Sequence, residues 1–259
     1  MDLNEVALSA VRRHPWEVAR AKFFCRVLRD SGVTAKPRTL LDVGAGDGYL
    51  ARLALATLPA GSEAVCLDAQ YSDDDLRRFA EPPVAGLSFT RDRPERRFDV
   101  LLLLDVIEHV PDDAAFLGQF VHDNLAPEGK VLISVPAWQA LFSLHDEALE
   151  HYRRYSPAAC RRLLCGAGLT IRASSGLFHS LLLPRTLTVA HERWARRLGR
   201  SVGRPPHLGQ WRGGPFLSLA LGWALAADNA VSRLSARAGW AVPGLSTWAL
   251  CDGPTGPSA

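Results

Sequence analysis

The stretch Thr39 to Arg52, TLLDVGAGDGYLAR, constrains this chain more than any other. Leu40, Leu41 and Val43 form an apolar run of the kind buried in a parallel strand. The run breaks into Gly44, Ala45, Gly46, Asp47 and Gly48, after which Tyr49, Leu50, Leu53 and Leu55 resume at spacings a helix can use. Strand, glycine turn and helix make the corner of an α/β unit where a nucleoside or phosphate rests. The glycines remove Cβ atoms so that a ligand can approach the backbone, and the helix start offers unpaired N–H groups. The spacing is Gly-x-Gly-x-Gly. It is neither the Gly-x-Gly-x-x-Gly of dinucleotide enzymes nor a P-loop, since no Gly-Lys-Ser/Thr follows. Asp42 before the turn and Asp47 within it would repel a pyrophosphate but suit a ligand carrying an amine or a sulfonium.

A second signal lies in register with the first. Glu63 to Asp68, EAVCLD, reads as the next parallel strand, and Asp68 ends it. A carboxylate at that distance from the glycine turn can accept both hydroxyls of a ribose; the alternative is a helix cap or turn residue. Phe98 to Leu104, FDVLLLL, is fit for a central strand. It runs into DVIEHVPD at the strand end, where doubly wound sheets place their sites. These three features resemble the class I S-adenosylmethionine (SAM) dependent methyltransferases, and DVIEHVPD resembles the fourth motif of a group that includes small-molecule and quinone O-methyltransferases. The Leu125, Pro127, Gly129, Val131 pattern before the strand KVLISV also resembles that family. The resemblance covers about residues 38–174. It implies SAM as cofactor, held by Asp42, Gly44, Ala45, Gly46, Gly48, Asp68, Ala69, Asp105 and Val106, with Asp92 the choice for the adenine amine.

The expected fold is a doubly wound, mostly parallel seven-stranded α/β sheet with helices on both faces and an antiparallel last strand. Residues 1–37 read as an N-terminal helical lid, with Trp16, Ala19, Phe23, Val27 and Leu28 at helical spacing after Pro15 and a second short helix over Leu3 to Val11. Residues 38–174 form the core, with further strands over Leu87 to Phe89, Lys130 to Val135 and Leu169 to Ala173. About seventy residues, 175–244, then separate the sixth strand from the seventh, Leu245 to Cys251, far beyond an ordinary loop. This segment reads as a helical insert, and the tail 253–259 as disordered.

With 259 residues, 47% of them hydrophobic, the chain can build a sizeable core. The net charge of +3 shows no global nucleic-acid footprint. The Asn/Asp-Pro-Pro-Tyr/Phe motif of amino-nitrogen methylating enzymes is also absent, so DNA is not expected as a substrate. Five cysteines without a Cys-x-x-Cys pair, and no basic-then-apolar leader, fit a cytoplasmic protein.

Proton removal from a hydroxyl or carbon acid calls for a base. His109 beside the cofactor corner, and His145, His151 and Tyr155 in the polar segment Pro136 to Tyr155, are the catalytic choices. Relatives with Glu-x-x-Glu-His bind a divalent ion at the fourth motif. Here Asp105, Glu108 and His109 stand at those positions, and because the first is Asp, a metal is not the favoured reading. The insert carries the uncharged run Gly213 to Ala227, Trp211, Trp223, Trp240 and an arginine-rich middle. It therefore reads as a cap making the acceptor site apolar, with peripheral contact to the inner face of a membrane as one role. The function expected is methyl transfer from SAM to a small or lipid-like acceptor at oxygen or carbon. A non-catalytic SAM-fold partner and an RNA ribose methyltransferase are the alternatives. Nothing in the sequence speaks to oligomeric state.

Overall fold

The structure is a computed structural model, and it describes residues 13–200 and 213–254. The expected short helix over Leu3 to Val11, the last five residues of the tail, and Arg204, Trp211 and Arg212 lie outside the described residues.

Seven strands form one sheet: β1 (Thr39–Val43), β2 (Glu63–Leu67), β3 (Leu87–Thr90), β4 (Phe98–Leu104), β5 (Leu125–Pro136), β6 (Thr170–Leu177) and β7 (Ser246–Asp252). Their order is β3-β2-β1-β4-β5-β7-β6. The first five are parallel, and β7 runs antiparallel to both β5 and β6. The alternation of a strand sends successive side chains to opposite faces. Leu40, Val100, Leu102, Leu132 and Trp248 therefore pack on one face, and Leu41, Leu101, Leu103, Ile133 and Cys251 on the other. Because both faces are covered, β1 and β4 read as continuous apolar runs. Each buried leucine contributes about 1.5–3 kcal/mol.

Eight α-helices are described: α1 (Pro15–Asp30), α2 (Tyr49–Leu55), α3 (Asp73–Ala80), α4 (Asp113–Asn124), α5 (Leu144–Ala148), α6 (Pro157–Gly166), α7 (Leu182–Arg197) and α8 (Pro215–Arg237). Their starts follow local chemistry. Pro15 and Pro157 open α1 and α6, and Ser72 and Ser143 close capping boxes with Asp75 and Asp146 at α3 and α5.

The structure shifts two expected boundaries: β5 begins at Leu125, five residues before Lys130, and β6 runs beyond its expected end. β6 continues four residues past Ala173, pairing Ser174 to Leu177 with Ala249 to Ser246. The polar Ser174-Ser175-Gly176 interrupts the apolar run, but the β7 ladder continues the strand across it. The connection to β7 then holds α7 and α8. α8 packs on α1 and β6, pinned by Trp248 Nε1 donating to Ser232 Oγ at 2.7 Å. Among the described residues, no helix is long and apolar enough to cross a membrane.

Candidate active site

The C-terminal ends of the parallel strands carry the site. β1 leads into the glycine turn, and its two neighbours, β2 and β4, end in Asp68 and Asp105. The strand order reverses direction between β1 and β4, the place where open α/β sheets form a crevice. Two glycines in the turn are required there. Gly44 has φ +64°, and a Cβ on it would lie 2.8 Å from Val106 Cγ2. Gly48 has φ +70°, and a Cβ would lie 2.7 Å from the Phe89 ring. Gly46 N donates to Asp68 Oδ2 at 3.3 Å, and Gln70 N donates to Asp68 Oδ1 at 3.0 Å. Tyr71 OH donates to Gly46 O from beneath. Asp47 Oδ1 accepts from Tyr49 N at 3.2 Å, and its other oxygen pairs with Arg13.

Two cavities open from this corner. One, about 50 Å³, lies between the turn and α1, walled by Trp16, Glu17, Arg20, Asp42, Gly44 and Asp47. Burial pushes the Asp42 carboxyl up to about 7. The other, a cleft of about 590 Å³, runs past Gly44, Asp68, Ala69, Arg91, Val106 and Phe116. Asp105 holds φ +59°, a strained conformation for a residue with a side chain. It is fixed by Arg20 at 2.7 Å, by Ser134 Oγ at 2.9 Å and by its N–H to Ser134 O.

A third cavity, about 370 Å³, adjoins these. It shares Asp105 and His109 with the cleft, and Trp16 and Arg20 with the space under α1. Its walls are mostly apolar, with Trp16, Pro136, Phe178, Leu181 and Leu245. Its polar side gathers Glu108, His109, His145, His151, Arg154 and Arg185. Asp146, fully buried, anchors this side. Its Oδ1 accepts from His151 Nδ1 at 3.0 Å and from Arg154 Nε at 2.7 Å, and its Oδ2 from Arg185 at 3.0 Å and Ser143 N at 3.0 Å. Burial alone would raise the Asp146 carboxyl, but the His151 hydrogen bond and Arg154 outweigh it and hold the group well below the usual carboxylate range. An ionised Asp146 requires His151 Nδ1 to carry the proton, so in the neutral ring the lone pair is on Nε2. Burial lowers His145 to about 4, so it is neutral at pH 7.

Glu108 is wholly buried, and neither of its carboxylate oxygens has a hydrogen-bond partner. Burial, followed by the Asp105 charge, raises its carboxyl well above the usual range. Ligand atoms of Glu108, His109 and His151 lie within 4.8 Å of one another, and the His109 and His151 rings meet edge to face at 4.6 Å. An orphaned carboxylate with two imidazoles, one oriented by Asp146, fits a divalent cation. The third member is His151; Asp105, the residue suggested by sequence spacing, is engaged by Arg20 and Ser134.

A methyltransferase-domain family model matches residues 16–174, more than half of the chain. The chain belongs to the class I SAM-dependent methyltransferases. It is 34% identical over 128 residues to a ubiquinone biosynthesis O-methyltransferase of Paramagnetospirillum magneticum, covering 44% of this chain and 45% of the relative. It is 27% identical to the enzyme of that name from Psychrobacter arcticus, covering 57% and 65%. The chain thus spans about half to two thirds of the length of these relatives. Among solved structures, a SAM-dependent methyltransferase from Mesorhizobium loti aligns over 88% of this chain and 96% of its own, with TM-score 0.53 and 14% identity, a likeness of fold.

In this methyltransferase, the structure brings Asp42, Gly44, Ala45, Asp68, Ala69, Asp105 and Val106 to the walls of the crevice. Gly46 and Gly48 shape the turn behind that wall. His109, His145 and His151 meet in the third cavity. Two expected residues are not brought there. Asp92 is exposed and makes a turn with Thr90, its N–H donating to Thr90 Oγ1 at 3.0 Å, while its neighbours Arg91 and Arg93 line the cleft. Tyr155 is buried in the core under α4, its hydroxyl donating to Asp113 Oδ2 at 2.6 Å. Burial raises that hydroxyl well above its ordinary range, with the Asp113 hydrogen bond adding to it. Sequence reasoning missed Arg20, Tyr71 and the role of Arg185. Arg20 sat in a helix read only for its apolar face, and Arg185 in an insert without a motif.

Proposed function

We propose that this methyltransferase transfers the SAM methyl group to a hydroxyl, or an acidic carbon, of a small apolar acceptor seated in the His-lined cavity. SAM would rest in the crevice. Asp68 keeps lone pairs for the ribose hydroxyls after accepting from Gly46 and Gln70, and the Cβ-free Gly44 admits the ligand beside Val106. Asp47 supplies negative charge near a sulfonium and amine, and a cationic ligand would favour the ionised form of the buried Asp42. When bound, the cofactor supplies an electrophilic methyl group for in-line displacement. The remaining work falls to the protein: alignment, exclusion of water and proton removal.

The observation that carries this reading is the Asp146–His151 pair, whose ring lines the cavity that adjoins the crevice through Asp105 and His109. Asp146 orients the ring and leaves Nε2 as the base toward the acceptor. The apolar walls from α1, Phe178 and Leu181 favour an aromatic or lipid-like body, in keeping with the similarity to the two ubiquinone biosynthesis O-methyltransferases.

A second reading is favoured by the unpartnered Glu108. With His109 and His151 it would hold a divalent cation, which would lower the pKa of an acceptor hydroxyl.

Labelled SAM supplied with lipid, small-molecule, protein and RNA fractions of a cell extract tests the acceptor class; label confined to protein or RNA removes the reading. His151→Ala should lower turnover by about 10²–10⁴-fold, the usual share of a general base, with SAM affinity unchanged. Turnover insensitive to this change rules out His151 as the base. Turnover restored in chelated enzyme by added Mg²⁺ or Zn²⁺ would favour the cation.

A further inference from the structure

A groove of about 540 Å³ runs between α1 and α8, on the side of α1 away from the cofactor crevice. Trp16, Arg20 and Phe24 face the crevice, whereas Val18, Lys22 and Arg26 line the groove. Most of its wall is apolar. Four cations line it and no acid does, among the described residues. Arg13 and Arg233 have acidic partners elsewhere, in Asp47, Glu17 and Asp30. Lys22 and Arg26 are exposed and make no ion pair with any described residue. In the wall lies Asn229, 3% exposed, with neither its Oδ1 nor its Nδ2 hydrogen-bonded. Buried primary amides are ordinarily satisfied, so the Nδ2 N–H of this one points to an acceptor atom of a ligand within the apolar slot.

The mouth of the groove has the composition of a lipid interface. Residues 213–227 carry no charge until Asp228. Phe216 is 87% exposed and Trp223 72%, with Leu217 and Leu219 also exposed beside them. Large exposed side chains in one contiguous run mark an interaction surface. A tryptophan flanked by cations is the residue type enriched where hydrocarbon meets headgroups.

We propose that the α1–α8 groove seats one acyl chain of an anionic membrane lipid. The ester linkage meets the Asn229 amide, Lys22 and Arg26 meet the headgroup phosphate, and Phe216 and Trp223 enter the interface. The charge pattern selects this occupant: Lys22 and Arg26, in a wall that holds no acid among the described residues, are complementary to an anionic surface. This site is separate from the acceptor cavity and does not depend on the methyl-transfer reading.

The test is co-sedimentation of the full chain with phosphatidylcholine vesicles and with vesicles of phosphatidylcholine and phosphatidylglycerol in equal parts. Binding is expected to the anionic vesicles, weakening with salt. Each basic residue near such a surface strengthens binding about fivefold, so K22Q/R26Q should bind about 25-fold more weakly. Both side chains are exposed and lie outside the crevice, so the variant keeps its fold and its affinity for S-adenosylhomocysteine in solution. Phosphatidylglycerol brominated on its acyl chains should quench fluorescence in the parent and leave less quenching in Trp223→Phe. Equal binding to both vesicle types, no binding to either, or unchanged binding by K22Q/R26Q overturns the proposal. So does saturable binding of monomeric dodecyl phosphate without vesicle binding, which would make the groove a site for a free amphiphile. Self-association without lipid, lost in Trp223→Ser, would make it a face between copies and overturn it as well.

Discussion

In the crevice, Arg20 and Arg13 reach in from the N-terminal segment, but the contacts that shape the glycine turn itself come from residues near it in sequence or at the end of an adjoining strand. Asp68 and Tyr71 reach Gly46 from the end of β2, and Asp47 caps Tyr49. In the His-lined cavity, one buried carboxylate gathers groups from three places: Ser143 and His151 nearby, Arg154 beyond them, and Arg185 from α7. The first region is held by backbone geometry, and its demand is for residues without a Cβ. The second is held by charge, and its demand is for partners around the buried Asp146. Damage should therefore differ: graded ligand loss in the crevice, and loss of structure in the cavity.

Asp146→Ala should have the largest effect. It leaves Arg154 and Arg185 half or fully buried around no anion, and breaking a buried pair in this way costs about 3–5 kcal/mol. Denaturant unfolding would show the drop, and the acceptor cavity would lose His151's orientation with it. Stability within about 1 kcal/mol of the parent, about the worth of a surface pair, would erase the contrast between the two regions.

Asp68→Ala tests the crevice. Removing a charged hydrogen-bond acceptor costs about 1.5–3 kcal/mol of SAM affinity, read by titration calorimetry, with the unfolding midpoint little changed. SAM binding as tight as the parent's would remove Asp68 from the cofactor site.

The same contrast decides how much was legible in the sequence. The seven strands, the glycine turn and the place of Asp68 at a strand end were readable because each is specified within a few residues. The Arg20–Asp105 and Arg185–Asp146 pairs were not. Each joins elements brought together by the sheet order and the insert, and no local spacing encodes that. The polar segment around His151 announced a site, yet its sequence could not say which side chains turn inward. His151 and Arg154 enter the cavity, whereas Tyr155 forms a bridge with Ala137 and points to α4.

Acidification sharpens the comparison at His145. Its pKa is about 4 in the folded chain against an ordinary value of 6.5, burial being the main cause. The unfolded chain therefore takes up this proton first. The contribution is fully present above about pH 6.5 and is lost as pH falls toward 4. His145→Gln, which cannot protonate, should flatten the pH dependence of the unfolding midpoint through that window. An identical slope in parent and variant would mean that His145 does not titrate as its burial requires.

The smallest effect belongs to Tyr155→Phe. From sequence, this tyrosine stood with the catalytic residues, and its loss would then lower turnover. In the structure, its hydroxyl donates to Asp113 Oδ2 at 2.6 Å, in the core on the face of α4 and α6 and outside the three cavities. The ring stays buried when the oxygen is removed, so packing is kept and the hydroxyl's hydrogen bond, shared between Asp113 Oδ2 and Ile107 O at 3.3 Å, is lost, worth about 1 kcal/mol. Asp113 keeps Arg153 at 2.9 Å as a partner, which limits the penalty of the orphaned acceptor. The expected outcome is a modest fall in the unfolding midpoint with turnover and SAM affinity at parent values. A fall in turnover without a change in stability would return Tyr155 to the reaction. It would also mean that the segment from Ala137 to Tyr155 rearranges when the acceptor binds.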